Sequence, residues 1–231
     1  MTQKQKTVLG FAAGVAAGVS YGLNPLFGKP LLDGGVPVLS LLFFRYAISA
    51  VILGLWMTFR HESFRVNGRE MRLLVVLGWP AAGTEIHWLG IVLAAMSALS
   101  YAVYLVIVNR SQRIKHISEH MLTFYGLVVG TIAFLAYLLI DGTPVLQGID
   151  TTPDVLNLIG LAIFPTMIAM LTIALSTRLI GPTKTSVLGA FEPVTAILVG
   201  TLVFGEPLTV NILAGIVICI AAVLFMILSE K

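Results

Sequence analysis

Apolar residues run along this chain in blocks of about twenty, recurring from one end to the other and separated by short polar stretches. Blocks of that length match the helix needed to cross a hydrocarbon core of roughly 30 Å. Seven are predicted: Thr7 to Leu26, Pro37 to Phe59, Leu89 to Asn109, Met121 to Ile140, Val155 to Ser176, Thr185 to Phe204 and Thr209 to Leu228. An eighth block, Met71 to Trp88, contains Pro80, Gly83 and Glu85. At 1.5 Å per residue it reaches only about 27 Å, a mismatch that local thinning of the bilayer can absorb. The expected fold is therefore an all-α integral membrane protein, a polytopic bundle of about eight transmembrane helices.

Composition agrees with that pattern. Of 231 residues, 58% are hydrophobic and 11% charged, with a mean hydropathy of +0.97, whereas soluble domains run near a quarter charged. An aqueous globule could not hide so much apolar surface, so the lipid bilayer is the expected partner. The net charge of +3 is spread over short loops, which argues against nucleic acid as a partner. A single cysteine, Cys219, excludes an intrachain disulfide. The N-terminal Met-Thr-Gln-Lys-Gln-Lys leads into a full-length apolar helix without an Ala-x-Ala cleavage site, so a retained first membrane helix is expected in place of a removable signal.

Lysine and arginine placement favours eight crossings over seven. With eight crossings and both termini inside, Lys4, Lys6, Arg60, Arg65, Arg69, Arg72, Arg110, Arg113, Lys115, Arg178, Lys184 and Lys231 share the inner side. Of the 14 basic residues only Lys29 then falls outside, and Arg45 lies within a helix. With seven crossings everything after Trp88 inverts and the bias disappears, against the rule that cytoplasmic loops are rich in Lys and Arg. The expected location is the cell (cytoplasmic) membrane, multi-pass, with both termini cytoplasmic.

The chain also repeats itself. Gly10 to Tyr21 reads GFAAGVAAGVSY and Gly90 to Tyr101 reads GIVLAAMSALSY, so Gly10, Ser20 and Tyr21 correspond to Gly90, Ser100 and Tyr101. With eight crossings the two copies run in opposite directions, the inverted-repeat relationship of many secondary transporters. The second copy, residues 90–231, holds five helices, whereas the first, residues 1–89, holds three. The first is shorter by about two helices, with the shortening near Gly78-Trp79-Pro80.

Residues Gly181 to Phe225 read GPTKTSVLGAFEPVTAILVGTLVFGEPLTVNILAGIVICIAAVLF. The Gly181-Pro182 turn, Glu192-Pro193 inside a helix, Gly205-Glu206 closing it and Gly215 in the last helix resemble the EamA family of the drug/metabolite transporter superfamily. Tyr21, Arg45 and the Ser100-Tyr101 helix fit the same pattern. The resemblance implies a carrier of ten helices in two inverted five-helix repeats, with a central site for a small metabolite. This chain reads as a truncated version of that 5+5 arrangement.

Several residues are candidates for that site. Glu192 is expected mid-helix, where an unpaired carboxylate is costly and so faces a cavity or a partner. It either couples substrate or proton movement or, protonated, bonds a neighbouring helix and holds the kink that Pro193 introduces. Arg45, about eight residues into its helix, either meets a substrate carboxylate, pairs with a buried acid or snorkels to the interface. Asn24-Pro25 and Pro165-Thr166 supply backbone discontinuities of the kind that line transporter sites or serve packing alone. By resemblance the lining set is Glu192, Pro193, Arg45, Tyr21, Asn24 and Tyr101. Gly10, Gly14, Gly18 and Gly22 recur every four residues and form a bare stripe for close helix packing. Trp56, Trp79 and Trp88 lie near predicted helix ends, as interfacial anchors do.

No metal site is expected: His61 and His87 fall on opposite sides of the membrane, and His116 with His120 lacks a third ligand. No nucleophile elbow, phosphate loop or His-Glu-x-x-His motif is present, so neither an enzyme nor a cofactor is implied. The expected function is movement of a small organic metabolite, outward, by alternating access. A non-transporting scaffold or remnant is the alternative, as is a homodimer in which two chains complete one another.

Overall fold

The computed structural model describes residues 2–62, 99, 101–109 and 117–228. The described residues are helical throughout apart from short connections. In chain order they form α1 (Gln3–Gly22), α2 (Asn24–Asp33), α3 (Val38–Phe59), a helical stretch at 101–109, α4 (Glu119–Asp141), α5 (Thr152–Ala162), a π-helical turn (Ile163–Ile168), α6 (Ala169–Ile180), α7 (Pro182–Leu188), α8 (Phe191–Phe204) and α9 (Val210–Leu228). Among the described residues, five helical segments are long and apolar enough to cross a membrane: Gln3–Asp33, Val38–Phe59, Glu119–Asp141, Thr152–Ile180 and Pro182–Phe204. The short predicted helix Met71 to Trp88, with Trp79, Trp88 and His87, lies outside the described residues, as does His116.

Local chemistry sets the helix ends. Thr2 and Gln5 form a reciprocal capping box at the start of α1, and Thr151 with Asp154 does the same for α5, so orphan N–H groups at each start find side-chain acceptors. Ser118 caps α4 through the Met121 N–H at 3.2 Å. Gly142 (φ 74°) and Gly205 (φ 67°) end α4 and α8 in the left-handed conformation that a side chain would strain.

Three spans are broken partway along their length. Leu26 was the predicted end of the first helix, yet α1 passes with only a jog at Leu23 into α2 and continues to Asp33. Pro25 sits in the first turn of α2, where its missing N–H has no partner to lose. Lys29 consequently lies on a helix and not in a loop. The span predicted at Val155 to Ser176 extends over Thr152–Ile180 and changes to a π turn around Pro165. The span predicted from Thr185 starts at Pro182 and divides at Gly189-Ala190 into α7 and α8.

α1 is the central strut. It packs most extensively on α6 and then on α8, and the four-residue glycine stripe faces α6, the end of α7 and α8. A Cβ on Gly10 would lie 2.5 Å from Ile180 Cγ2, on Gly14 2.4 Å from Leu188 Cδ1, on Gly18 2.9 Å from the Leu188 carbonyl oxygen and on Gly22 2.4 Å from Thr195 Cβ. Only glycine lets the helices approach so closely. Elsewhere α3 lies against α4, with Tyr46 over Gly130, and α2 lies against α5, with Phe27 over Gly160.

Charged residues gather at the two ends of the bundle. One end holds the start of α1, the end of α3, the start of α4 and the α6–α7 junction. There Arg178 donates to Glu119 at 2.8 Å and to the Ile117 carbonyl at 2.5 Å, and His120 meets Glu62 at 3.2 Å. Trp56 lies against the His120 ring with centroids 4.5 Å apart and beneath the Arg60 guanidinium. At the opposite end Lys29 Nζ meets Glu206 Oε1 at 2.6 Å, near Asp33 and the segment between α4 and α5.

Candidate functional site

The three helix breaks meet around Arg45. Its position on α3 places the guanidinium beside the start of α2 and the π turn. Nε donates to Thr166 Oγ1 at 2.5 Å, one terminal nitrogen to the Pro165 carbonyl at 2.7 Å and the other to Asn24 Oδ1 at 3.3 Å. One side chain thereby ties the α1–α2 joint to the π turn across α3.

The π turn exposes acceptors because proline has no N–H. In a regular helix the Leu161 carbonyl would accept from residue 165, which here is Pro165. Thr166 Oγ1 donates to Leu161 instead, at 2.8 Å, while receiving Arg45 Nε. One turn along α3 from Arg45, the fully buried Ser49 Oγ lies 2.7 Å from the Ala162 carbonyl and 2.6 Å from that of Arg45. Polar groups freed by the break are therefore satisfied by side chains, as an apolar surrounding requires.

Every described hydrogen-bond acceptor of Arg45 is neutral, and among the described residues no carboxylate is in ion-pairing contact with it. Of the roles considered for Arg45, this geometry is neither snorkelling nor an ion pair with a buried acid. It is a half-buried cation held by uncharged groups.

Glu192 corrects one expectation. It stands not mid-helix but at the second position of α8, with Pro193 third, and both are exposed. A carboxylate there complements the helix dipole, and a proline in a first turn sacrifices no helical hydrogen bond. The Glu-Pro pair is a helix start, made possible by the break at Gly189-Ala190. Gly22 and Gly18 position this start: a Cβ on Gly22 would lie 2.6 Å from the Glu192 carbonyl oxygen, and one on Gly18 3.4 Å from the Glu192 nitrogen.

Glu192 lies within electrostatic range of Arg45 and of Tyr101, and Tyr21 within range of Arg45, Tyr46, Tyr101 and Tyr104. Tyr21 also packs with Ala17, Leu105 and Ile173. Tyr21, Asn24, Arg45, Tyr101 and Glu192 are thus gathered in one region, Pro193 lies beside it on the exposed start of α8, and the glycine stripe forms its scaffold. Ser49, Tyr46 and Tyr104 were not foreseen there. Spacing offered one signal, since Ser49 follows Arg45 by four residues and therefore shares its helix face. No group of three His, Cys, Asp or Glu side chains is placed to hold a metal among the described residues.

Long apolar helices, interrupted partway along their length at a shared polar cluster, define an all-α, multi-pass membrane protein. Residues 88–228 match the EamA-like transporter family, and the chain belongs to that family of transporters. An uncharacterized transporter of Archaeoglobus fulgidus is 33% identical over 135 residues, which cover 58% of this chain and 46% of the relative. The chain spans about half the length of the curated relative it matches.

Proposed function

We propose that this protein carries a small organic metabolite outward across the cell membrane by alternating access, through a pathway lined by Arg45, Glu192, Tyr21, Asn24, Tyr101 and Pro193. The observation carrying this reading is the bonding of Arg45 to neutral acceptors at two helix breaks, with the Glu192 carboxylate nearby but separate. An intramembrane charge is costly and belongs by default to a functional site, and discontinuous helices at mid-membrane are how secondary transporters build theirs.

Orientation with both termini in the cytoplasm is supported by Arg60, Arg178 and Lys184, which share the end where α1 begins. Residues 1–89 form a shortened first repeat and 90–231 a five-helix second repeat in this reading.

Flux of a metabolite panel in proteoliposomes tests it. Glu192→Gln keeps the side chain's size and removes its charge, and should lower flux at unchanged membrane abundance. Undiminished flux in that variant removes Glu192 from the mechanism, and absence of flux for every metabolite with the parent chain refutes transport.

A further inference from the structure

We infer that Lys29 and Glu206 form a latch that closes the candidate pathway at the end of the bundle opposite the N-terminus. α2 and α8 each begin at a break beside the site, α2 at Asn24 next to Arg45 and α8 at Phe191-Glu192. The two half-helices pack on each other and end at the same face. Their far ends are joined where Lys29 Nζ meets Glu206 Oε1 at 2.6 Å and stands 4.7 Å from the centre of the Phe204 ring. Among the described residues this is the one polar contact between α2 and the α8 end.

Glu206 is presented rigidly. Gly205 turns left-handed, the Glu206 N–H bonds the Gly200 carbonyl at 3.0 Å, and Glu206 Oε2 lies over Gly200, where a Cβ would come within 2.6 Å. Lys29 is the flexible partner on its long stem. Behind the pair the two arms belong to different neighbours: α2 packs on α5 through Phe27 and Gly160, while α8 packs on α1 through Thr195 and Gly22. Widening the site toward this end separates α2 from α8, and the ion pair must break for that to happen.

Both side chains are substantially exposed, 40% for Lys29 and 54% for Glu206, so the pair is weak, as a latch that must open in every cycle needs to be. Asp33, one turn beyond Lys29, also lies within its electrostatic range, and is a second acid that a displaced Lys29 would meet on the same arm.

The inference rests on the site being the transport pathway, and its test reads access without flux. A reporter cysteine replaces Tyr101 in a Cys219→Ala background, and its reaction with a membrane-impermeant maleimide is timed from the compartment that Lys29 faces. Lys29→Gln and Glu206→Gln should each speed labelling about two- to five-fold, the shift an exposed ion pair can hold. Exchanging the charges, Lys29→Glu with Glu206→Lys, should restore the parent rate. Unchanged labelling in both glutamine variants, including no labelling in any chain, overturns the latch, and so does an exchange variant as fast as the single ones. Should a glutamine variant not accumulate in the membrane, the exchange variant is compared with Lys29→Glu alone. A latch response in a chain that moves no metabolite refutes transport and leaves the latch standing.

Discussion

Adding one methyl group at Gly22 tests whether the contact of α1 with α8 holds the bundle together. An alanine Cβ there would sit 2.4 Å from Thr195 Cβ, 2.6 Å from the Glu192 carbonyl oxygen and 3.0 Å from Thr195 Cγ2. None of these atoms lies at the tip of a flexible chain, and the carbonyl is backbone, so α1 and α8 must separate. Overpacking of that kind costs about 1–3 kcal/mol, offset by the roughly 0.5–1 kcal/mol that alanine gains over glycine in a helix. Because the clashing atoms are stiff, the upper end of the overpacking range applies, and Gly22→Ala should destabilise by about 2 kcal/mol, which lowers the apparent melting midpoint by roughly 4–8 °C for a protein of this size. Gly28→Ala is the control: its Cβ would meet only Leu161 Cδ1 at 3.8 Å and Asn24 Oδ1 at 3.9 Å, ordinary contact distances. That variant should melt at or slightly above the parent. The assay is recovery of the size-exclusion peak of purified protein after heating in detergent, at one fixed heating schedule. A Gly22→Ala midpoint equal to or above the parent, or equal losses at both positions, would refute the reasoning.

The same melting assay reads two further perturbations, and flux and labelling read two more. Thr166→Val removes the hydroxyl that satisfies the Leu161 carbonyl and receives Arg45 Nε; a loss of about 1–3 kcal/mol is expected, with Thr166→Ser close to the parent. Thr151→Ala breaks the capping box of α5 and should cost about 0.5–2 kcal/mol, while leaving the labelling rate at the site unchanged. Glu192→Gln should reduce flux at constant abundance, and neutralising either member of the Lys29–Glu206 pair should speed labelling of the site.

Hydrophobic length made the spans readable in the sequence, because a bilayer demands about twenty apolar residues wherever a helix crosses. It could not locate the breaks. Asn24-Pro25 looked like an end because proline usually stops a helix, yet in a first turn it costs nothing and α2 continues. Glu192 looked buried mid-helix because the apolar run is unbroken on either side. The overlooked sign was Gly189 followed four residues later by Pro193, a stop and a restart. The stripe of glycines was visible from spacing alone, since residues four apart share a helix face. Thr166 and Lys29 were harder, for their partners lie 121 and 177 residues away, and only packing decides which turns of two helices come level.

The three breaks are not independent defects. In hydrocarbon each carbonyl or amide released from a helix must find another partner, and here one side chain of the unbroken α3 serves two breaks at once. Arg45 bonds Asn24 at the first break and Pro165 and Thr166 at the second, while Gly22, just before the first, packs on the Glu192 carbonyl just after the third. A bundle shaped by stability alone would do better with unbroken helices and an apolar side chain in place of Arg45, because replacing buried charge with well-packed hydrophobic residues is often neutral or favourable. Breaks bridged by one side chain must instead rearrange together. Movement at Arg45 is then felt by α2 and by the π turn at once, and such joint response of separate helices to one central group is what the proposed alternating access would call on.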